Sequence, residues 1–157
     1  MIELAQGNLL EAKVEALVNA VNTVGVMGAG IALQFRQSYP EMFKAYEQAC
    51  KAGAVSPGKM HVFEIGKQGE RPRWIINFPT KRDWREPSRL ADVVAGLSDL
   101  VSQVRRLNIR SIAIPPLGCG LGGLDWDDVR PRIEQACTEM PDVQVLLFAP
   151  VPAAAKK

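Results

Sequence analysis

The sequence predicts an α/β fold in which a mostly parallel sheet carries helices on both faces. Three observations lead there. Apolar runs of strand length alternate with stretches of helical periodicity, the pattern of strands joined by helical crossovers. Two of these units share one design: a short apolar run, a cluster of glycines, then a helix start, once around residues 16–31 and again around 111–127. One helix, Ser88 to Leu107, shows its core stripe outright, with Leu90, Val93, Val94, Leu97, Leu100, Val101, Val104 and Leu107 recurring at helical spacings.

In chain order, Ile2 to Ala5 reads as a first strand, and Gln6-Gly7-Asn8-Leu9 turns the chain. Ala16 to Ala20 is a short apolar strand. The loop after it holds Gly25, Gly28 and Gly30, and a helix runs from about Ala29 to Ser38. Tyr39-Pro40 interrupts it, Pro40 opens a second helix, and Gly53 lies just past that helix's end. Ser56-Pro57-Gly58 is a turn, and Met60 to Ile65 alternates as a strand does. Gly66 to Pro72 is a polar hairpin loop, and Trp74 to Phe78 is a buried strand ending at Pro79. Ile109 to Pro115 is the next strand, followed by Gly118, Gly120, Gly122 and Gly123. A helix then starts near Asp127, since Pro131 fits a first turn and Asp125 would sit at the loop's exit. Asp125, Asp127 and Asp128 read as the capping and charging of that helix start rather than as an acid–base cluster. Gln144 to Ala149 is a final strand. Residues 1–150 form one domain, and Val151 to Lys157 is a Pro/Ala/Lys tail or linker expected to be disordered.

Composition narrows the function classes. Of the 157 residues, 47% are hydrophobic and 23% charged, ordinary for a soluble globule. No apolar run approaches the ~20 residues of a membrane span, and Met1-Ile2-Glu3-Leu4 lacks a secretory signal's basic-then-apolar order. Cys50, Cys119 and Cys137 are odd in number and widely spaced, and His61 is the sole histidine. Neither a disulfide framework nor a zinc site is expected, and no cofactor; the expected compartment is the reducing cytoplasm. His61 reads as structural or exposed. A net charge of +2 does not by itself announce a nucleic-acid binder, yet Arg71, Arg73, Lys81, Arg82, Arg85 and Arg89 crowd one region of the sequence.

A strand that feeds a glycine loop and then a helix makes an anion site. The helix N-terminus offers free N–H groups and its positive dipole end, and glycine lets the backbone approach phosphate oxygens. Asn19 and Asn22 stand at the first strand's exit, where they could hydrogen-bond a sugar. Either loop alone reads equally as a tight turn with no ligand. Two such loops can clamp one diphosphate from two sides.

The first loop, Asn19-Ala20-Val21-Asn22 with Gly28 to Ala32, together with the second, Pro115 to Trp126, resembles the macrodomain, an ADP-ribose-binding fold. The resemblance runs from Ile2 to about Pro150 and implies a three-layer α/β/α sandwich with a mixed, mostly parallel central sheet. Asn77-Phe78-Pro79-Thr80-Lys81-Arg82-Asp83-Trp84 is similar to the branch holding the terminal ADP-ribose protein glycohydrolase and the DarG-type antitoxins. Gly7-Asn8-Leu9-Leu10 and Gly118 to Trp126 favour the DarG type.

That resemblance implies a hydrolase removing ADP-ribose from thymidine bases of single-stranded DNA, within a toxin–antitoxin system. Its partners would be ADP-ribose, ADP-ribosylated single-stranded DNA and a DNA ADP-ribosyltransferase toxin, the toxin held mainly by a C-terminal region outside this chain. The rivals are a hydrolase for ADP-ribosylated protein carboxylates or ADP-ribose 1″-phosphate, and a non-catalytic ADP-ribose reader. By resemblance the ADP-ribose-binding residues are Asn8, Leu9, Ala20, Val21, Asn22, Gly28, Ala29, Gly30, Ile31, Ala32, Thr80, Gly118, Cys119, Gly120, Leu121 and Gly122. Most macrodomains carry Asp where this chain has Asn8, and that Asp contacts the adenine amino group. The amide oxygen of Asn8 can accept the same hydrogen bond, or serve a local turn.

Lys81 follows a strand end beside Pro79-Thr80. A lysine can attack an anomeric carbon or trap the opened aldehyde as a Schiff base if its amine is neutral, a state that burial or a neighbouring cation such as Arg82 favours. From residues alone the reading as a lysine that pairs with phosphate or lies in solvent is the stronger; the resemblance makes it the nucleophile, with Asn22 positioning the ribose or the substrate's own leaving group doing part of the work. The protein-directed branch has an assisting Asp where this chain has Gly122. Gly122 can be neither acid nor base, and leaves room for a nucleobase. Arg82, Trp84 and Arg85 interleave cations with an indole, an arrangement that can hold a DNA backbone and stack a base. The plain alternative is a solvated loop with Asp83 paired to an arginine.

Overall fold

A computed structural model describes residues 1–150; the tail at 151–157 lies outside the described residues. Among the described residues, six strands and four α-helices follow one another as β1 (Ile2–Ala5), β2 (Ala16–Val21), α1 (Gly30–Ser38), α2 (Pro40–Lys51), β3 (His61–Glu64), β4 (Trp74–Pro79), α3 (Leu90–Arg106), β5 (Ser111–Ile114), α4 (Trp126–Cys137) and β6 (Gln144–Phe148). Short 3-10 turns cover Leu9–Glu11 and Gly120–Gly122. The strands form one sheet in the order β1-β6-β5-β2-β4-β3. Every pairing is parallel except that of the edge strand β3, which runs antiparallel to β4. The mixed, mostly parallel sandwich is the one expected.

The two faces follow from the period-2 alternation of the strands. Ala16 and Val18 of β2, with Ile76 and Phe78 of β4, pack against Val93, Leu97, Leu100, Val101 and Val104 of α3 and Val129 and Ile133 of α4. Leu17, Val21 and Ile75 turn the other way, onto Phe35 of α1 and Met42 and Tyr46 of α2. Gly96 lets α3 come close to the sheet: a Cβ there would lie 2.5 Å from the Phe78 ring. Val94, placed by periodicity in the core stripe, is 39% exposed, because one helical step past Val93 already leaves the buried face.

The helix starts differ in detail from the sequence reading. The long helix begins at Leu90, since Arg89 is extended at φ −115° and serves as its cap residue. The last one begins at Trp126, because the Asp125 side chain accepts the Asp127 N–H. Capping outweighs the proline, which leaves Pro131 inside the helix rather than in its first turn. Among the described residues, no helix is long and apolar enough to cross a membrane.

Candidate functional site

Strands β5, β2 and β4 are parallel neighbours at the centre of the sheet, so their C-terminal ends open on one side. The chain leaves β2 toward β4 and returns to β5 on β2's other flank. That reversal is the topological switch point where open α/β sheets hold ligands. A cleft of about 780 Å³ lies there, lined by the segments 20–22, 26–32, 80–84 and 115–122 in part.

The first wall is organised by one side chain. Asn22 is 6% exposed. Its amide oxygen accepts the N–H groups of Val24 at 3.1 Å and Val26 at 3.3 Å, and its amide nitrogen donates to the Val26 carbonyl at 2.7 Å. Tyr46, reaching up from α2, places its hydroxyl 2.7 Å from the Asn22 carbonyl and 2.8 Å from its side-chain oxygen. Burial holds the Tyr46 hydroxyl far above its usual pKa, so it is a permanent donor. Asn22 therefore builds the loop and keeps one amide hydrogen for a ligand. Beyond the loop, α1 starts with no side-chain cap at Ala29 and no acidic residue in its first turn. Gly30 takes φ +59°, and Gly30, Ile31 and Ala32 all line the cleft. The orphan N–H groups of this helix end are left for an anion.

The second wall is built by backbone. Gly118 takes φ +75°, and Leu124 donates its N–H to the Gly118 carbonyl at 2.9 Å. Gly122 accepts the Ser88 N–H at 2.9 Å. The two walls meet where Gly30 faces Leu121: a Cβ on Gly30 would lie 3.3 Å from Leu121 Cδ1.

Lys81 lines the cleft together with both walls. Its backbone N–H donates to the Val21 carbonyl at 3.3 Å, beside the Thr80 N–H on the same oxygen at 2.8 Å, which pins the exit of β4 to that of β2. Its ammonium lies 3.5 Å from the Trp84 carbonyl. Lys81 is the single charged side chain among the lining residues. Cys119 is the other ionisable group there, and burial, then the charge of Asp125, push its thiol up to about 11. It stays a thiol at neutral pH and is unsuited to nucleophilic attack.

Several expected residues lie elsewhere. Asn8 and Leu9 do not line the cleft: the Asn8 side chain accepts the Leu10 N–H at 3.0 Å as a local turn, and Leu9 is 4% exposed in the core. Gly120 is exposed outside it. Ala20, Val21, Gly28, Ala29, Thr80, Cys119, Leu121 and Gly122 line it. Val26, Pro115 and Pro116 also line it. The two prolines follow the β5 strand end directly, a position that could have marked them.

The basic cluster divides in space. Arg71 and Arg73 precede β4 and Lys81 follows it, so a six-residue strand of about 17 Å separates them. Arg82 turns to Asp92 at 3.3 Å, so its charge is offset rather than lent to Lys81. Arg85 grips Asp83 through two hydrogen bonds of 3.0 and 2.9 Å, and those bonds pull the Asp83 carboxyl down to about 2. Trp84, 55% exposed, stands at the cleft mouth with the Arg85 guanidinium 5.5 Å from its ring.

His61 is structural: burial lowers its pKa, and its Nδ1 lies 3.0 Å from the Asn77 side-chain nitrogen. Asn77 in turn accepts from Asn19, buried beneath the first loop, so Asn19 offers no group to a sugar.

Residues 18–133 match the Macro domain family. A DNA ADP-ribosyl glycohydrolase of Mycobacterium tuberculosis is 57% identical over 150 residues, which span 96% of this chain and 42% of that protein. The chain thus spans under half the length of that relative. Its solved counterpart, the macrodomain of Mycobacterium tuberculosis DarG, superposes with a TM-score of 0.94 at 56% identity, covering 96% of this chain and 99% of the other. Thermosipho africanus DarTG in complex with ADP-ribose superposes at 0.85 with 29% identity, over 96% of this chain and 43% of the other.

Proposed function

The chain belongs to the macro domain family, and from that premise we propose that it removes ADP-ribose from modified bases of single-stranded DNA, thymine foremost, and so counters a DNA ADP-ribosyltransferase toxin. One observation carries the reading: the cleft's single charged side chain, Lys81, stands at the convergence of three parallel strand ends, between an uncapped helix N-terminus and a glycine loop. The 57% identity to a relative named for this activity supports it.

In this reading the orphan N–H groups of α1 and the backbone of the second loop hold the diphosphate. The free amide hydrogen of Asn22 orients the distal ribose. The Lys81 nitrogen attacks C1″, giving up a proton as its bond forms; the bond to the base nitrogen breaks, and that nitrogen takes a proton. Water then hydrolyses the lysine-linked sugar, through its ring-opened Schiff base, to ADP-ribose and free lysine. Trp84 stacks a base at the mouth, while Arg82 and Arg85 lie toward the strand's phosphates with donors their carboxylate partners leave over. Asn8 and Leu9 remain candidates for the adenine end only if the turn at 7–9 rearranges.

The test incubates wild type and Lys81→Ala with ADP-ribosylated single-stranded DNA and, separately, ADP-ribosylated protein. Wild type should release ADP-ribose from the DNA faster than from the protein. Lys81→Ala should lose several orders of magnitude in rate, while its ADP-ribose affinity changes by no more than about 1 kcal/mol, the worth of one hydrogen bond. Release from protein alone would favour the protein hydrolase; binding without any release would make the domain a reader.

A further inference from the structure

Ser88 is a buried residue that the proposed chemistry leaves unused. It precedes α3 and is 6% exposed. Among the described residues its hydroxyl has no hydrogen-bond partner, an arrangement that costs stability and calls for a reason. Its backbone N–H is tied to the Gly122 carbonyl at 2.9 Å. Gly122 has no positive φ to demand glycine. What excludes a side chain there is Ser88 itself. A Cβ on Gly122 would overlap Ser88 Oγ and lie 3.0 Å from Ser88 Cβ, while sitting 3.9 Å from Lys81 Cε. At Gly118, by contrast, a Cβ would meet Leu124 Cδ1 at 2.6 Å before Ser88 Cβ at 3.2 Å.

We propose that Ser88 is a positioning residue that sets substrate selection: it forces position 122 to stay bare, and the bare wall leaves the space beside Lys81 to the group attached to the distal ribose. This rests on the proposed function above. The hydroxyl is the atom nearest the forbidden Cβ, so it acts by occupancy, and an unbonded hydroxyl is what occupancy alone requires. Free ADP-ribose carries only its small anomeric hydroxyl at that place. A base-linked conjugate needs the space.

The experiment couples the two positions. Gly122→Ala should lower the melting midpoint and weaken ADP-ribose binding about tenfold in calorimetry. Adding Ser88→Gly should restore both to near wild type, a rescue that independent sites do not show. With the space open, Ser88→Gly/Gly122→Leu should show a KM for the DNA conjugate raised by about tenfold or more over that of Ser88→Gly alone, beyond any change in its Kd for free ADP-ribose, with kcat less affected. An unperturbed Gly122→Ala, or a pair that adds without rescue, overturns the proposal. So does a folded leucine double variant with wild-type KM. Should that variant not fold, Ser88→Gly/Gly122→Val, with a smaller side chain, takes the KM measurement and the same outcome decides. If wild type releases nothing from DNA, the proposed function fails, while the midpoint and ADP-ribose affinity of the alanine pair still decide whether Ser88 keeps position 122 bare.

Discussion

The two glycine loops look alike in sequence and are built by opposite means. Each follows a parallel strand and enters a helix. The first depends on side chains, with Asn22 bonding Val24 and Val26 and held by Tyr46. Its helix is left uncapped, with no acid in the first turn. The second depends on glycine conformation and on bonds between its own peptide groups. Its helix is capped by Asp125 and carries Asp127 and Asp128 in the first turn. One helix end is a positive terminus open to an anion; the other has already satisfied itself with carboxylates. A strand–glycine–helix pattern thus does not by itself leave a helix terminus open to an anion. The helix cap decides whether the terminus is open.

The largest expected effect tests the open end. Gly30→Glu places a carboxylate among the α1 N–H groups and a side chain at φ +59° against Leu121. ADP-ribose binding should fall by about 100-fold or more, since a like charge and a lost backbone approach act together. Calorimetry on the folded variant showing wild-type affinity would place the diphosphate elsewhere.

A smaller effect tests the side-chain scaffold. Tyr46→Phe removes the hydroxyl that bridges the Asn22 carbonyl and side-chain oxygen, while the Val24 and Val26 N–H groups still reach the side-chain oxygen. The ADP-ribose Kd should rise about five- to tenfold, near 1 kcal/mol, although Tyr46 does not line the cleft. If binding is unchanged, Asn22 holds the loop without help from α2.

Asp125→Ala sharpens the contrast from the other side. It removes the α4 cap, worth about 1 kcal/mol of stability, and should lower the melting midpoint by a few degrees. Affinity for ADP-ribose should stay within about twofold, because that helix end is not an anion site. A large gain in affinity on removing the carboxylate would mean that it is one.

The smallest effect is on pH. His61 reaches the first loop through Asn77 and Asn19, whose amide lies 3.8 Å from the Met27 sulfur. Burial keeps the folded pKa of His61 below its ordinary 6.5. The unfolded chain therefore binds the extra proton first, and stability contributed by the neutral ring is lost as pH falls below about 6.5. The melting midpoint should decline between pH 7 and pH 5, and His61→Gln should decline less. Equal slopes would remove His61 from the account.

Much of the fold was legible in the residues themselves. Period-2 alternation in β2 and β4 and the stripe from Val93 to Val104 are local consequences of strand and helix geometry. The two glycine loops and Lys81 at a strand end could be read for the same reason: each is a short stretch whose chemistry is contained in its neighbours. What only the tertiary structure decided depends on residues far apart in sequence. Parallel pairing sets β5 beside β2 and β2 beside β4, so loops about 90 residues apart in sequence meet at Gly30 and Leu121. A strand's length divides Arg71 and Arg73 from Lys81, and Asp92, ten residues on, draws Arg82 away. Tyr46 under Asn22 and Ser88 behind Gly122 carry no local signal, since burial and steric exclusion arise only when the sheet brings distant segments within a few ångströms of each other.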